Sequence, residues 1–93
     1  MGEKTVEATV LFSDLKGFAA MSENLEPEEV SRLLTSYFNR TTRHIPKEEG
    51  TIIKYIGDAV MAVWGAPLPD PRQAERAVRA ACGMIEAGRN DAD

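Results

Sequence analysis

Ile52-Ile53-Lys54-Tyr55-Ile56-Gly57-Asp58-Ala59-Val60-Met61-Ala62-Val63-Trp64 is the stretch on which the fold turns. Two apolar runs rich in β-branched residues are separated only by Gly57 and Asp58, and glycine supplies the positive backbone angle that a two-residue turn requires. A β-hairpin is expected here, led in by Gly50-Thr51.

Upstream, Thr5 to Phe12 reads as a further strand, with Val6, Ala8, Val10 and Phe12 on one parity as its expected buried face. It ends at Ser13-Asp14. Gly17-Phe18-Ala19-Ala20-Met21 then reads as a tight turn into a short helix, and Ser22 to Glu26 breaks the pattern. Pro27 opens a longer helix as a first-turn proline, with Glu28 and Glu29 where the helix dipole favours negative charge. Val30, Leu33, Leu34, Tyr37 and Phe38 form its apolar stripe. The helix should stop near His44-Ile45-Pro46, because proline lacks a donor and disfavours helix in the residue before it.

Downstream of the hairpin, Pro67, Pro69 and Pro71 make an extended connection. Asp70 is placed to cap a last helix whose expected apolar face is Ala74, Ala77, Val78, Ala81 and Ile85. Gly88 to Asp93 is polar and reads as a tail. The order strand, short helix, long helix, strand, strand, helix predicts an α+β fold. It is a ferredoxin-like βαββαβ plan truncated before its last strand, with helices on one face of an antiparallel sheet. Residues 1–93 form a single partial domain in this reading.

At 93 residues the chain holds at most one domain, with room for a modest core. A net charge of −4 provides no basic footprint, so nucleic acid is not expected as a partner. No apolar run approaches the roughly 20 residues that span a bilayer, and the N-terminus lacks a signal-peptide layout. A cytoplasmic chain without direct membrane contact is expected. Cys82 and His44 are each the only residue of their kind, so neither a disulfide nor a zinc cluster can form within the chain. Cys82, among Val78, Ala81 and Ile85 at helical spacing, reads as a small packing residue. His44 reads as a solvated or capping residue near a helix end.

Asp14 and Asp58 each stand where a strand gives way to a turn. Alone, Asp14 could cap the helix that follows, and Asp58 could be a hairpin residue tolerant of unusual backbone angles. Together they would reach one sheet edge if their strands are neighbours. Two carboxylates repel, whereas Mg²⁺ or Mn²⁺ between them neutralises the pair and leaves positions open for phosphate oxygens. Lys16-Gly17-Phe18 would let the backbone approach an anion closely at a helix start.

These residues carry a resemblance that covers nearly the whole chain. Val10 to Phe18, Leu25-Glu26-Pro27-Glu28-Glu29-Val30 with Leu34, Tyr37 and Phe38, and Gly50-Thr51 with Lys54 to Pro67 resemble the N-terminal half of a class III nucleotidyl cyclase catalytic domain. The resemblance implies an adenylate cyclase, a lyase of cyclic AMP signalling that converts ATP to 3′,5′-cyclic AMP and pyrophosphate. It implies two divalent cations, Mg²⁺ or Mn²⁺, held by Asp14, Asp58 and the backbone carbonyl of Leu15. Backbone amides from Lys16 through Gly17 to Phe18 would cradle phosphates. Lys54 stands at the base-reading position and would donate to adenine N1, favouring ATP over GTP; read without the family, it is a solvated strand residue. The family's site is shared across a head-to-tail dimer, so Lys54 and Asp58 of one hairpin would serve two different sites.

Ala19 departs from the hydroxyl residue that the family often has there. The Asn and Arg pair of the family's second half has no counterpart in these residues, so the isolated chain is expected to be inactive or weakly active. Two rival readings remain. One is a non-catalytic half-domain that associates into a homodimer or higher oligomer through an unpaired strand edge. The other is a guanylate cyclase or another two-metal palm enzyme.

Overall fold

The computed structural model describes residues 5–90. The elements are β1 (Thr9–Ser13), α1 (Phe18–Ser22), α2 (Pro27–Thr41), α3 (His44–Lys47), β2 (Thr51–Ile56), β3 (Ala59–Trp64) and α4 (Gln73–Asn90). The strands form one antiparallel sheet in the order β1-β3-β2. The hairpin turns at Gly57-Asp58 with Gly57 at φ 58°, a left-handed value that glycine adopts without a Cβ penalty. The α+β architecture expected from the element order is the one that forms.

The central strand β3 organises the core. Val60, Ala62 and Trp64 are buried beneath Ile45 of α3 and Ala77, Ala80 and Met84 of α4, with Leu11, Phe38 and Ile52 packed around them. The Trp64 indole N–H donates to the Glu48 carbonyl at 2.9 Å. A methyl at Gly50 would lie 2.5 Å from the Trp64 ring, so the residue leading into β2 has to be small.

β1 is shorter than Thr5 to Phe12, and its faces are reversed from the expected ones. Leu11 packs on the core, whereas Val10 and Phe12 are 55% and 62% exposed on the opposite face. The pairing explains this: Leu11 stands opposite buried Ala62, and Phe12 opposite Met61 on the open face. In β2 a bulge between Ile52 and Lys54 shifts the register. That extra residue lets both Ile52 and Tyr55 face the helices, since an inserted residue reverses the alternation. Tyr55 packs its ring 4.8 Å from that of Phe38, centroid to centroid.

α2 begins at Pro27 with a capping box in which the Glu26 N–H donates to the Glu29 carboxylate at 3.1 Å. It ends at Thr41, slightly before the expected stop. Buried Thr41 and Thr42 turn their hydroxyls back onto the carbonyls of Tyr37 and Phe38 at 2.9 and 2.7 Å. Pro46 does not end this helix. It lies inside α3, a single turn whose early positions need no N–H donor.

α4 follows Asp70, whose carboxylate accepts the Arg72 N–H at 2.9 Å. Arg76 ties this helix start to the α3–β2 connection, 2.7 Å from Glu49 and 3.1 Å from Asp70. The buried face of α4 is Ala77, Ala80 and Met84, while Val78 and Ile85 are 62% and 60% exposed and Ala74 is also exposed. This corrects the expected stripe. Ala77 and Ala80 face inward with Met84 where α4 packs on the sheet and α3, and the imidazole of His44 fills the space above Gly83. Cys82 is exposed, so it is not a packing residue. Residues 88–90 continue α4 where a tail was expected from Gly88, and residues 91–93 lie outside the described residues.

Candidate functional site

β1 and β3 carry the two aspartates to the same end of the sheet. Ser13 pairs with Val60 at the end of the ladder, Asp14 leaves the sheet directly after Ser13, and Asp58 sits in the turn two residues before Val60. Asp14 is exposed and Asp58 half-buried. Among the described residues neither is in an ion pair; the ion pairs found join Arg72, Arg76 and Arg79 to Asp70, Glu49 and Glu75.

The segment after Asp14 is a tight turn. The Phe18 N–H donates to the Leu15 carbonyl at 3.2 Å, and Gly17 enters α1 in a left-handed conformation at φ 75°. A side chain at Gly17 would meet nothing within 4 Å, so its backbone angle, not crowding, calls for glycine. Lys16 is exposed and Phe18 half-buried. The Leu15 carbonyl retains a second lone pair beside the Phe18 bond.

Lys54 is apart from this cluster. It stands opposite Met61, on the open face of the sheet, and is exposed. Asp14, Leu15, Lys16, Gly17 and Phe18 therefore gather with Asp58 at one end of the sheet, and Lys54 does not join them.

Tyr37, expected only in the apolar stripe of α2, lines a cleft of about 300 Å³ with Ser13, Asp14, Met84 and Ile85. Burial pushes its phenol above the ordinary value; the neighbouring Ser13 hydroxyl opposes that, and the nearby Asp14 and Asp58 carboxylates add to it. The one signal in the sequence was a hydroxyl-bearing aromatic within an otherwise hydroxyl-free stripe, since a buried tyrosine hydroxyl usually has a polar partner.

Among the described residues no group of three or more His, Cys, Asp or Glu side chains is assembled to hold a metal. The oxygens at this end of the sheet are instead those of two carboxylates and a backbone carbonyl. Oxygens of that kind are chemically suited to a hard cation such as Mg²⁺, which takes one or two carboxylates and fills its remaining positions with water or phosphate oxygens. Among the described residues no helix is long and apolar enough to cross a membrane.

Comparison with known proteins matches residues 2–92 to the family described as the adenylate and guanylate cyclase catalytic domain. Adenylate cyclase 1 of Rhizobium meliloti (strain 1021) is 41% identical over 80 residues, which are 86% of this chain and 12% of that protein. The guanylyl cyclase Cya2 superposes with a TM-score of 0.84 at 40% identity, covering 89% of this chain and 42% of that structure. The adenylyl cyclase CyaB from P. aeruginosa superposes with a TM-score of 0.83 at 35% identity, covering 92% of this chain and 46% of that one. The chain thus spans less than half the length of each of these relatives.

Proposed function

The chain belongs to the adenylate and guanylate cyclase catalytic domain family, and we propose that it forms the metal- and nucleotide-holding half of an adenylate cyclase site. The observation that carries this reading is the convergence of Asp14 and Asp58 at one sheet end without a described counter-charge. Asp14, Asp58 and the Leu15 carbonyl would hold Mg²⁺ or Mn²⁺. When bound, two such cations supply activation of a ribose 3′-hydroxyl and neutralisation of a polyphosphate leaving group. The backbone N–H groups of Lys16, Gly17 and Phe18 would orient phosphate oxygens.

Lys54 supports ATP as the nucleotide, because its ammonium donates and adenine N1 accepts, whereas guanine N1 carries a proton. Its place on the open sheet face, away from the aspartates, favours a site in a partner protomer over the one its own Asp58 would serve. The relatives include both adenylate and guanylyl cyclases, so the preference rests on Lys54 alone. A cytoplasmic setting belongs to the same proposal, with ATP as the substrate pool.

The parent reaction in this reading is ATP to cyclic AMP and pyrophosphate. The 93-residue chain by itself turns over slowly or not at all, since preorganised donors of the kind the second half supplies are each worth about 3–4 kcal/mol of barrier. Titration of Mn²⁺ against wild type, Asp14→Ala and Asp58→Ala tests the site, with binding expected only in the wild type. Equal affinity in all three overturns the proposal, and cyclic AMP production near the rate of a full domain overturns its inactive half.

A second reading is a half-domain that self-associates. β1 is an outer strand of the described sheet, and Val10 and Phe12 beside its open edge are exposed. Unpaired edges with apolar flanks recruit other strands.

A further inference from the structure

We infer that Tyr37 is a positioning residue of the Asp14 and Asp58 site, its phenol hydroxyl acting as an outer hydrogen-bond partner for the carboxylates that hold the cation. The inference rests on the metal-holding reading above and adds a residue to it.

The ring of Tyr37 is held on two sides. A methyl at Gly88 would lie 3.8 Å from Cε1, an ordinary contact distance, so α4 passes the ring at its glycine. The Phe38 ring stands 5.6 Å away, centroid to centroid, at a tilt of 57°. Tyr37 shares the wall of one cleft with Ser13, at the end of β1, and with Asp14, and the carboxylates of Asp14 and Asp58 both act electrostatically on its phenol.

A carboxylate that gives one oxygen lone pair to a cation still has others to satisfy. With no ion-pair partner for either aspartate among the described residues, neighbouring hydroxyls are the donors at hand, and those on the cleft wall are Ser13 and Tyr37. The remaining wall is mostly apolar, with Leu11, Met84 and Ile85, which strengthens a hydrogen bond formed there. Such outer partners fix the orientation of metal-holding groups, and their loss typically costs about 10- to 100-fold in metal affinity. If Tyr37 served only to fill space, phenylalanine would serve as well.

Mn²⁺ affinity of the full chain, followed by electron paramagnetic resonance for wild type, Tyr37→Phe, Tyr55→Phe and Asp14→Ala, tests this. Tyr37→Phe is expected to weaken Mn²⁺ by about 10-fold with circular dichroism and thermal midpoint unchanged, while Tyr55→Phe leaves affinity as it was. Wild-type affinity in Tyr37→Phe, with binding abolished in Asp14→Ala, overturns this inference and spares the metal-holding reading. Absence of wild-type binding overturns both. Should Tyr37→Phe fail to fold, proton NMR of the wild type decides: Mn²⁺ must broaden the Tyr37 ring before the Tyr55 ring, and the reverse order overturns the inference.

Discussion

The imidazole of His44 occupies the space that a side chain at Gly83 would fill: a methyl there would lie 2.5 Å from Nδ1. This contact locks α3 onto α4 and explains why a glycine sits in the middle of the last helix, where alanine would otherwise be favoured by about 1 kcal/mol. Gly83→Ala is therefore expected to destabilise the wild type, since overpacking costs about 1–3 kcal/mol. In a His44→Ala background the clash is gone and the same change should stabilise. Urea unfolding of the four members of this cycle checks the reversal of sign; equal effects in both backgrounds would show the two sites to be independent.

The same contact sets a pH dependence. Burial holds the His44 imidazole below its ordinary 6.5, Arg43 and Lys47 add to that, and Glu48 and Glu86 oppose it. A base with a lowered folded pKa binds fewer protons folded than unfolded, so stability is complete above about 6.5 and declines as pH falls through that value toward the folded pKa. Proton NMR of this only histidine should give a midpoint below 6.5. His44→Gln should flatten the fall in urea midpoint between pH 7.5 and 5.5, windows chosen around the ordinary histidine value of about 6.5.

Trp64 is 1% exposed and donates to the Glu48 carbonyl. Trp64→Phe keeps an aromatic ring but leaves that carbonyl without its donor, an expected cost of about 1–3 kcal/mol. Chemical denaturation followed by circular dichroism measures it, and a change near zero would mean that water replaces the indole.

Metal should stabilise the fold through the two aspartates. At a concentration about 100 times its dissociation constant, a ligand specific to the folded state adds about 2.7 kcal/mol. A rise in the thermal midpoint with Mn²⁺ is expected for the wild type and not for Asp58→Ala. An equal rise in both would place the bound ion elsewhere.

Phe12 is 62% exposed on β1 and carries the self-association reading. A lysine at an edge strand opposes pairing with another chain. Phe12→Lys should lower the sedimentation coefficient at high concentration toward that of a monomer. A wild type that is already monomeric there removes this second reading.

The hairpin was legible because two apolar runs and a glycine two-residue turn leave the backbone little alternative, and α2 because Pro27, Glu28, Glu29 and a clear stripe agree with one another. Asp14 and Asp58 were legible as a pair through their turns and the family motif around them. The faces of β1 and α4 were not. Val10 and Phe12 have larger apolar side chains than Thr9 and Ser13, as Val78 and Ile85 have than Ala77 and Ala80, so side-chain hydrophobicity pointed toward the wrong faces. Tyr37 was not legible beside the aspartates because its apolar ring fits a core stripe, and only the fold brings it to a cleft with Ser13 and Asp14.

By itself, then, the sequence determined the order and type of the elements other than the single turn α3, the turn at Gly57-Asp58 and the family, because these depend on local backbone preference and short motifs. Tertiary structure decided which side of each element is buried and which residues meet. The bulge at Ile53 and the β1–β3 register set the faces of the strands, and the close approach of His44 to α4 requires a glycine at position 83. Those outcomes depend on contacts between segments far apart in the chain, which no local pattern encodes.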